Sequence, residues 1–326
     1  MRLFCGNIVL VLILMGLSSS CSMIRKTAIG QTGQIIYNAS FEQQVENDWD
    51  MFSTTLDSNI KLMESFLSQD KENQDLIISL LKAYVAKGFA IEETYYLEDK
   101  LQDIDKEESR HYARAHFSYS RALNYGLRYL QVNVISRNIL TKNISTLEKI
   151  TSSLDANLSK DRRDIESVVY LAQALGGLVN LQKDNMRVIS YAPVLKTLFD
   201  WSCSRDEKIG LGVCDIFYAT YDSSRPRMLG GNPAMGKEKF LQAIIKWPTN
   251  WLVRSSLVQY HSIPMLEGSE YRKQKLFFNK VSREFYESQL WKGGDMKEDK
   301  LNYTNIFNMI ALKRMAIFEK YEKEIF

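Results

Sequence analysis

Wherever apolar residues cluster in this chain they recur at helical spacing, and the alternation of a strand is almost absent. From Ile77 they fall at Leu80, Leu81, Tyr84, Val85, Gly88 and Ile91, the i, i+3, i+4, i+7 stripe of an amphipathic helix. A charged bend from Glu98 to Glu108 ends that stripe. Tyr112, Ala115, Tyr119, Ala122, Leu123, Gly126, Leu127 and Leu130 then share one face, which predicts a helix folding back antiparallel on the first. Asn143 to Asp161 carries a weaker helix and a turn. Ile165, Val168, Val169, Ala172, Leu175, Gly176 and Val179 form a further face, and Lys183-Asp184-Asn185 breaks it before a helix over Val188 to Trp201. Only 5 prolines interrupt the 326 residues. The expected fold is all-α, built of stacked antiparallel helical hairpins. Small residues at Ala122, Gly126, Ala172 and Gly176 would let the helix axes approach closely.

Two segments carry the spacing of a tetratricopeptide unit. Gly236, Phe240, Ala243 and Pro248 keep the offsets of the small, aromatic, small and proline positions of its second helix, and Ala113, Phe117 and Ser120 repeat the first three. Small positions admit the neighbouring helix, the aromatic fills the gap, and proline cannot continue the hydrogen-bond ladder. The pattern predicts a degenerate tetratricopeptide-like superhelix over residues 56–326, with 21–55 as an N-terminal tether and first helix.

Residues 1–20 read as a secretory signal. Arg2 precedes an apolar run of ten residues from Ile8 to Leu17, whereas a spanning helix needs roughly 20. Ser18, Ser19 and Ser20 then lead into Cys21, which predicts removal of the signal and attachment of a diacylglycerol to the Cys21 thiol. Ordinary cleavage after Ser20, leaving a plain thiol, is the alternative. Buried lipid chains contribute about 0.8 kcal/mol per methylene, enough with two or three chains to hold a soluble body on a bilayer. Outside the cytoplasm, the remaining Cys203 and Cys214 are either a bridge across Ser204-Arg205-Asp206-Glu207 or two separate buried thiols.

The chemistry of most enzyme classes finds no motif. The formal net charge is +3 with acids and bases interleaved, and no arginine-rich arm or aromatic-basic stripe suggests nucleic acid. The 3 histidines, His111, His116 and His261, form no zinc-ligand pattern, so no metal or cofactor is expected. Gly230-Gly231 lacks the Lys-Ser/Thr of a phosphate loop and reads as a tight turn. No Gly-x-Ser-x-Gly elbow is present. Glu92-Glu93 reads more readily as a solvated or capping face than as a general acid.

More specific is the stretch Ser224-Arg225-Pro226 followed by Leu229-Gly230-Gly231-Asn232-Pro233, between one helix and the helix of Phe240. It resembles the TRAP-transporter-associated tetratricopeptide lipoproteins, the TatT family, which pass from a Ser-Arg-Pro helix end through Leu-Gly-Gly-Asp/Asn-Pro. Ile60 to Leu67 is similar to that family's opening helix, and Ala83-Tyr84 with Phe89-Ala90-Ile91-Glu92 to its alanine, aromatic and acidic stretch. Tyr119, Arg121 and Tyr125-Gly126-Leu127-Arg128, the Val179-Asn180-Leu181-Gln182-Lys183-Asp184 turn, and Tyr260 with Pro264 extend the likeness to about Ile60–Phe326. Leu123-Asn124 replaces the family's usual Arg-Asp, and Gly88 interrupts a stretch that is commonly aromatic or alanine.

The resemblance implies a non-enzymatic, periplasm-facing protein of the bacterial envelope, and Ser22 in place of an aspartate after the lipidated Cys21 points to the outer membrane as its anchor. It further implies a homotrimer that docks the solute-binding protein of a TRAP transporter and assists passage of an organic-acid or apolar ligand. Binding would involve Glu92, Arg121, Arg128, Asn180, Lys183, Tyr218 and Arg225, with Pro226, Gly230 and Gly231 forming a structural turn. Arginines and Lys183 suit a carboxylate, while Tyr84, Tyr119 and Tyr218 supply apolar walls and hydroxyls. A plain scaffold of outer-membrane assembly, with no ligand, is the competing expectation; for each arginine it is an ion pair or a bond to a helix-end carbonyl.

Overall fold

The computed structural model describes residues 26–140, 147–159, 161–225, 230–294 and 302–326. All regular structure among them is helical, as the periodicity requires. Helix α1 covers 26–39 and a 3-10 turn follows at Glu42–Val45. Next come α2 (Trp49–Gln69), α3 (Gln74–Ala86), α4 (Glu93–Leu101) and α5 (Arg110–Val132). The expected border at 55/56 falls inside α2. The series continues with α6 (Leu147–Asn157), α7 (Arg162–Leu181), the one-turn α8 (Met186–Ile189), α9 (Ala192–Cys203), α10 (Val213–Ser224) and α11 (Pro233–Lys246). Finally come α12 (Leu252–Leu257), α13 (Gly268–Ser288), α14 (Asn305–Lys320) and α15 (Glu322–Ile325). Among the described residues no helix is long and apolar enough to cross a membrane. Cys21 and Pro226 lie outside the described residues.

The starts of these helices are written locally. Asp48, Asn73, Ser109, Asp161 and Asn232 each cap a helix by accepting a hydrogen bond from a first-turn N–H, which satisfies one of four otherwise orphaned donors. The single helix expected over Val188 to Trp201 is broken at Ser190-Tyr191, where Pro193 suits the first turn of a new helix but not the middle of an old one.

Helices α3, α5, α7 and α9 stack in sequence, and α10 with α11 forms a further hairpin. One core runs from Tyr37 to Ile310, and smaller clusters form around Phe240 and around Tyr271 and Phe318. Gly236, Phe240 and Ala243 are buried as the repeat spacing demands. Ala113 and Phe117 are exposed instead. The packing face of α5 is Ala115, Tyr119, Ala122 and Gly126, so the second set of tetratricopeptide offsets lies on the wrong side of its helix. Cys203, ending α9, is joined to Cys214 in the first turn of α10, with Cα atoms 6.0 Å apart.

Candidate functional site

Helix α3 is buried all round from Leu76 to Val85. The Leu80/Leu81/Tyr84 stripe serves one side; the other presents Ser79, Lys82, Ala83 and Ala86, and the small serine and alanines leave space. That space is a cavity of about 740 Å³, within the range of small-molecule sites. Its floor is one face of α7, where Tyr170, Gln173, Gly176, Gly177 and Asn180 follow one another along the helix. At 1.5 Å per residue, Tyr170 and Asn180 are about 15 Å apart. The opposite wall is aromatic and aliphatic, from Leu195 and Phe199 of α9 and Ile216, Phe217 and Tyr221 of α10.

Two helical stretches beside the cavity are locally underwound. Residues Lys87–Glu92 join α3 to α4 as a π-turn, with the Glu93 N–H donating to the Gly88 carbonyl, and Val258–Ser262 extends α12 in the same way. Such π-turns concentrate at functional sites. Here one residue of α14 ties them together. Arg314 is fully buried; its Nη2 donates to the Phe89 carbonyl, its Nη1 to Gln259 Oε1 at 2.9 Å and its Nε to Thr94 Oγ1 at 3.0 Å. The guanidinium also lies over the Phe89 ring, 4.3 Å from its centroid, and 3.9 Å from Glu93 Oε2.

Glu93 is the carboxylate that faces the cavity. Burial pushes its pKa up, while Arg314, Asn180, Lys100 and Tyr119 oppose that rise. Asn180 Nδ2 donates to Glu93 Oε1 at 3.4 Å. Tyr119 reaches it from α5, and burial raises its hydroxyl far above the usual tyrosine value. Glycine makes room for that ring on both sides. A Cβ on Gly177 would lie 2.3 Å from Tyr119 Cζ, and one on Gly88 would lie 3.0 Å from the same ring. This is the reason for glycine at position 88.

Lys183, just beyond α7, lines the same end of the cavity. It is solvent-accessible, yet surrounding protein pushes its pKa down, with the Glu93 charge acting the other way. Lys183 has no ion-pair partner among the described residues. At the far end, Lys82 donates to Glu166 Oε2 at 3.0 Å and Ser40 Oγ at 3.1 Å.

Of the residues expected to bind, the structure brings Asn180, Lys183 and Arg225 to the cavity. Arg225 stacks on Tyr221, 3.7 Å to the ring centroid, and donates to the carbonyls of Tyr221 and Gly230 at 3.0 Å; it holds the turn that contains Gly230 and Gly231. The others stand elsewhere. Arg121 pairs with Glu64 at 3.0 Å, beside Tyr84 and Tyr125 on the same carboxylate. Arg128 donates to the Lys71 carbonyl, past the end of α2. Glu92 is buried between Arg114 Nε at 2.7 Å and His111 Nδ1 at 3.0 Å. Tyr218 donates to Asp200 at 2.9 Å.

Arg314, Lys82 and Tyr170 escaped the sequence reading, and Glu92-Glu93, read there as a solvated or capping face, is instead buried, with each carboxylate held by an arginine. The apolar run Ile310-Ala311-Leu312 ahead of Arg314 and Met315 to Phe318 behind it was the available signal for a buried arginine. Among the described residues no group of three or more His, Cys, Asp or Glu is arranged to hold a metal ion.

No curated protein matches this sequence. The family model described as the TRAP transporter T-component does match, over residues 45–257, a span from the 3-10 turn through α12 that includes most of the cavity wall. The chain belongs to the TRAP transporter T-component family.

Proposed function

We propose that this protein receives a ligand from the solute-binding protein of a TRAP transporter and holds it in the α3/α7 cavity during passage. Family membership supports a TRAP-associated role in the bacterial envelope. The single observation that carries the finer reading is the cavity: long, walled mainly by aliphatic and aromatic side chains, with one unpaired ammonium at Lys183 beside Asn180. Such a shape suits an elongated apolar body ending in an anion, whose head would take charge-assisted hydrogen bonds from Lys183. The reading assigns no reaction, because the buried charges at the cavity, Glu93 and Lys82, are already held by Arg314 and Glu166.

The proposal includes a diacylated Cys21 as membrane tether, on the periplasmic face of the outer membrane, and a homotrimer as the working assembly. The test is a titration of purified protein with ligand-loaded solute-binding protein, read by light scattering and by native mass spectrometry. The expected result is a trimeric complex with ligand mass appearing on this chain. A monomer that takes neither partner nor ligand would favour the scaffold reading.

A further inference from the structure

Helix α1 and the 3-10 turn after it lie across the cavity as one of its walls, with Ile36, Ser40, Gln43 and Gln44 turned toward the space. Ile29, Ile36 and Phe41 pack only half-buried against the core, and α1 passes close to the start of α3 at Gly33, where a Cβ would lie 2.6 Å from Asn73 Oδ1. Of the α1 side chains, only that of Tyr37 is buried, with Gly33 the other buried position, and Ile35 is 66% exposed. The Tyr37 hydroxyl donates to Glu166 at 3.1 Å, and Ser40 accepts from Lys82. The Phe41 ring lies under Arg162 and Lys82, 4.0 and 4.4 Å from its centroid. At the far end, Asn305 Nδ2 donates to the Val45 carbonyl at 3.0 Å. This underside is polar for a core contact. If α1 left, Lys82 and Glu166 would regain water, which offsets part of the loss, and segments with few buried apolar contacts open at low free energy. The chain then runs extended through Glu46 to the cap residue Asp48, which leaves α2 intact as a fixed hinge base.

We propose that α1 and the Glu42–Val45 turn are a hinged cover on the cavity, undocking as a unit from α3 and α7 to admit ligand. This is a regulation of the site proposed above and rests on that reading. Because the described part of α1 begins five residues after Cys21, a tether there would pull on the cover itself.

Two measurements on the full mature chain test the cover. In hydrogen exchange, the amides of 29–40 should exchange at least tenfold faster than those of α3 and α7, and Tyr37→Phe should accelerate them further while leaving α3 and α7 unchanged. In stopped flow, association of the apolar anion 1-anilinonaphthalene-8-sulfonate should quicken three- to tenfold in Tyr37→Phe, and similarly in Ser40→Ala should Tyr37→Phe fold poorly. Exchange of α1 as slow as α3, or association rates unmoved by either variant, would overturn the cover. If α1 exchanges fast but the probe binds no variant, including one lacking residues 26–45, the cover stands and the reading of the cavity as a ligand site fails.

Discussion

Gly176 and Gly177 are adjacent in α7, and the structure assigns them opposite responses to one methyl group. Replacing glycine by alanine inside a helix contributes about 1 kcal/mol through propensity alone. At Gly176 the new Cβ would sit 3.5 Å from Leu195, an ordinary contact, so that gain is kept. At Gly177 it would sit 2.3, 2.4 and 2.6 Å from three atoms of the Tyr119 ring. That ring is 1% exposed and has little room to retreat, because Gly88 flanks its other side so closely that a Cβ there would lie 3.0 Å from it, and its hydroxyl serves Glu93. Overpacking of this kind costs about 1–3 kcal/mol, and three simultaneous clashes put the cost in the upper half of that range. The net effect is a destabilisation of about 1–2 kcal/mol for Gly177→Ala against a stabilisation of up to about 1 kcal/mol for Gly176→Ala. At about 2 °C per kcal/mol for a chain of this length, thermal melts followed by circular dichroism should separate the two variants by roughly 4 °C. Tyr119→Leu should recover part of the Gly177→Ala loss, since residues in contact couple. Equal melting temperatures, or a stabilised Gly177→Ala, would refute the wedged ring and with it the account of how Glu93 is positioned.

Other consequences follow from the same contacts. Arg314→Met leaves Glu93 and the Phe89 carbonyl without their buried cation and should cost about 3–5 kcal/mol in urea denaturation, much less when Glu93→Gln is added. Glu64 is pulled up by burial but held below the ordinary glutamate value by bonds from Lys61, Tyr84 and Tyr125. Its contribution is therefore full above the unfolded pKa and lost as pH falls through the lower folded one. Acid titrations of stability should show a loss in that window that Glu64→Gln lacks. Reduction of the Cys203–Cys214 bridge, or Cys203→Ser with Cys214→Ser, should cost about 2–4 kcal/mol and leave the helical signal intact.

The fold was legible because each helix states its own period and cap. The stripe from Ile77 to Ile91 and that from Tyr112 to Leu130 mark α3 and α5, the most closely packed pair in the stack. The site was only partly legible, for physical reasons. A cavity is the absence of side chains, and the face of α3 that borders it, with Ser79, Lys82 and Ala83, resembles a solvent face in the sequence. Glu93 and Arg314 are 221 positions apart, and no local pattern announces that one will meet the other. Conversely, Arg121 and Arg128 look like anion ligands by type, but each already has a partner in α2 or just past its end. Asn180 and Lys183, expected from the resemblance of the Val179–Asp184 turn, lie where the α7 face and the cavity both end.

The central claim is that the α3/α7 cavity is the working surface, and transfer of ligand from a loaded solute-binding protein tests it most directly. Transfer should be measured for the unaltered chain, for Lys183→Glu, which reverses the unpaired charge, and for Ala86→Phe, which fills the space from α3. The account predicts about 10–100-fold weaker uptake in Lys183→Glu, the scale of one charged hydrogen bond, and no uptake in Ala86→Phe, with both variants folded and still docking the partner. Undiminished transfer by a folded Ala86→Phe protein would contradict it.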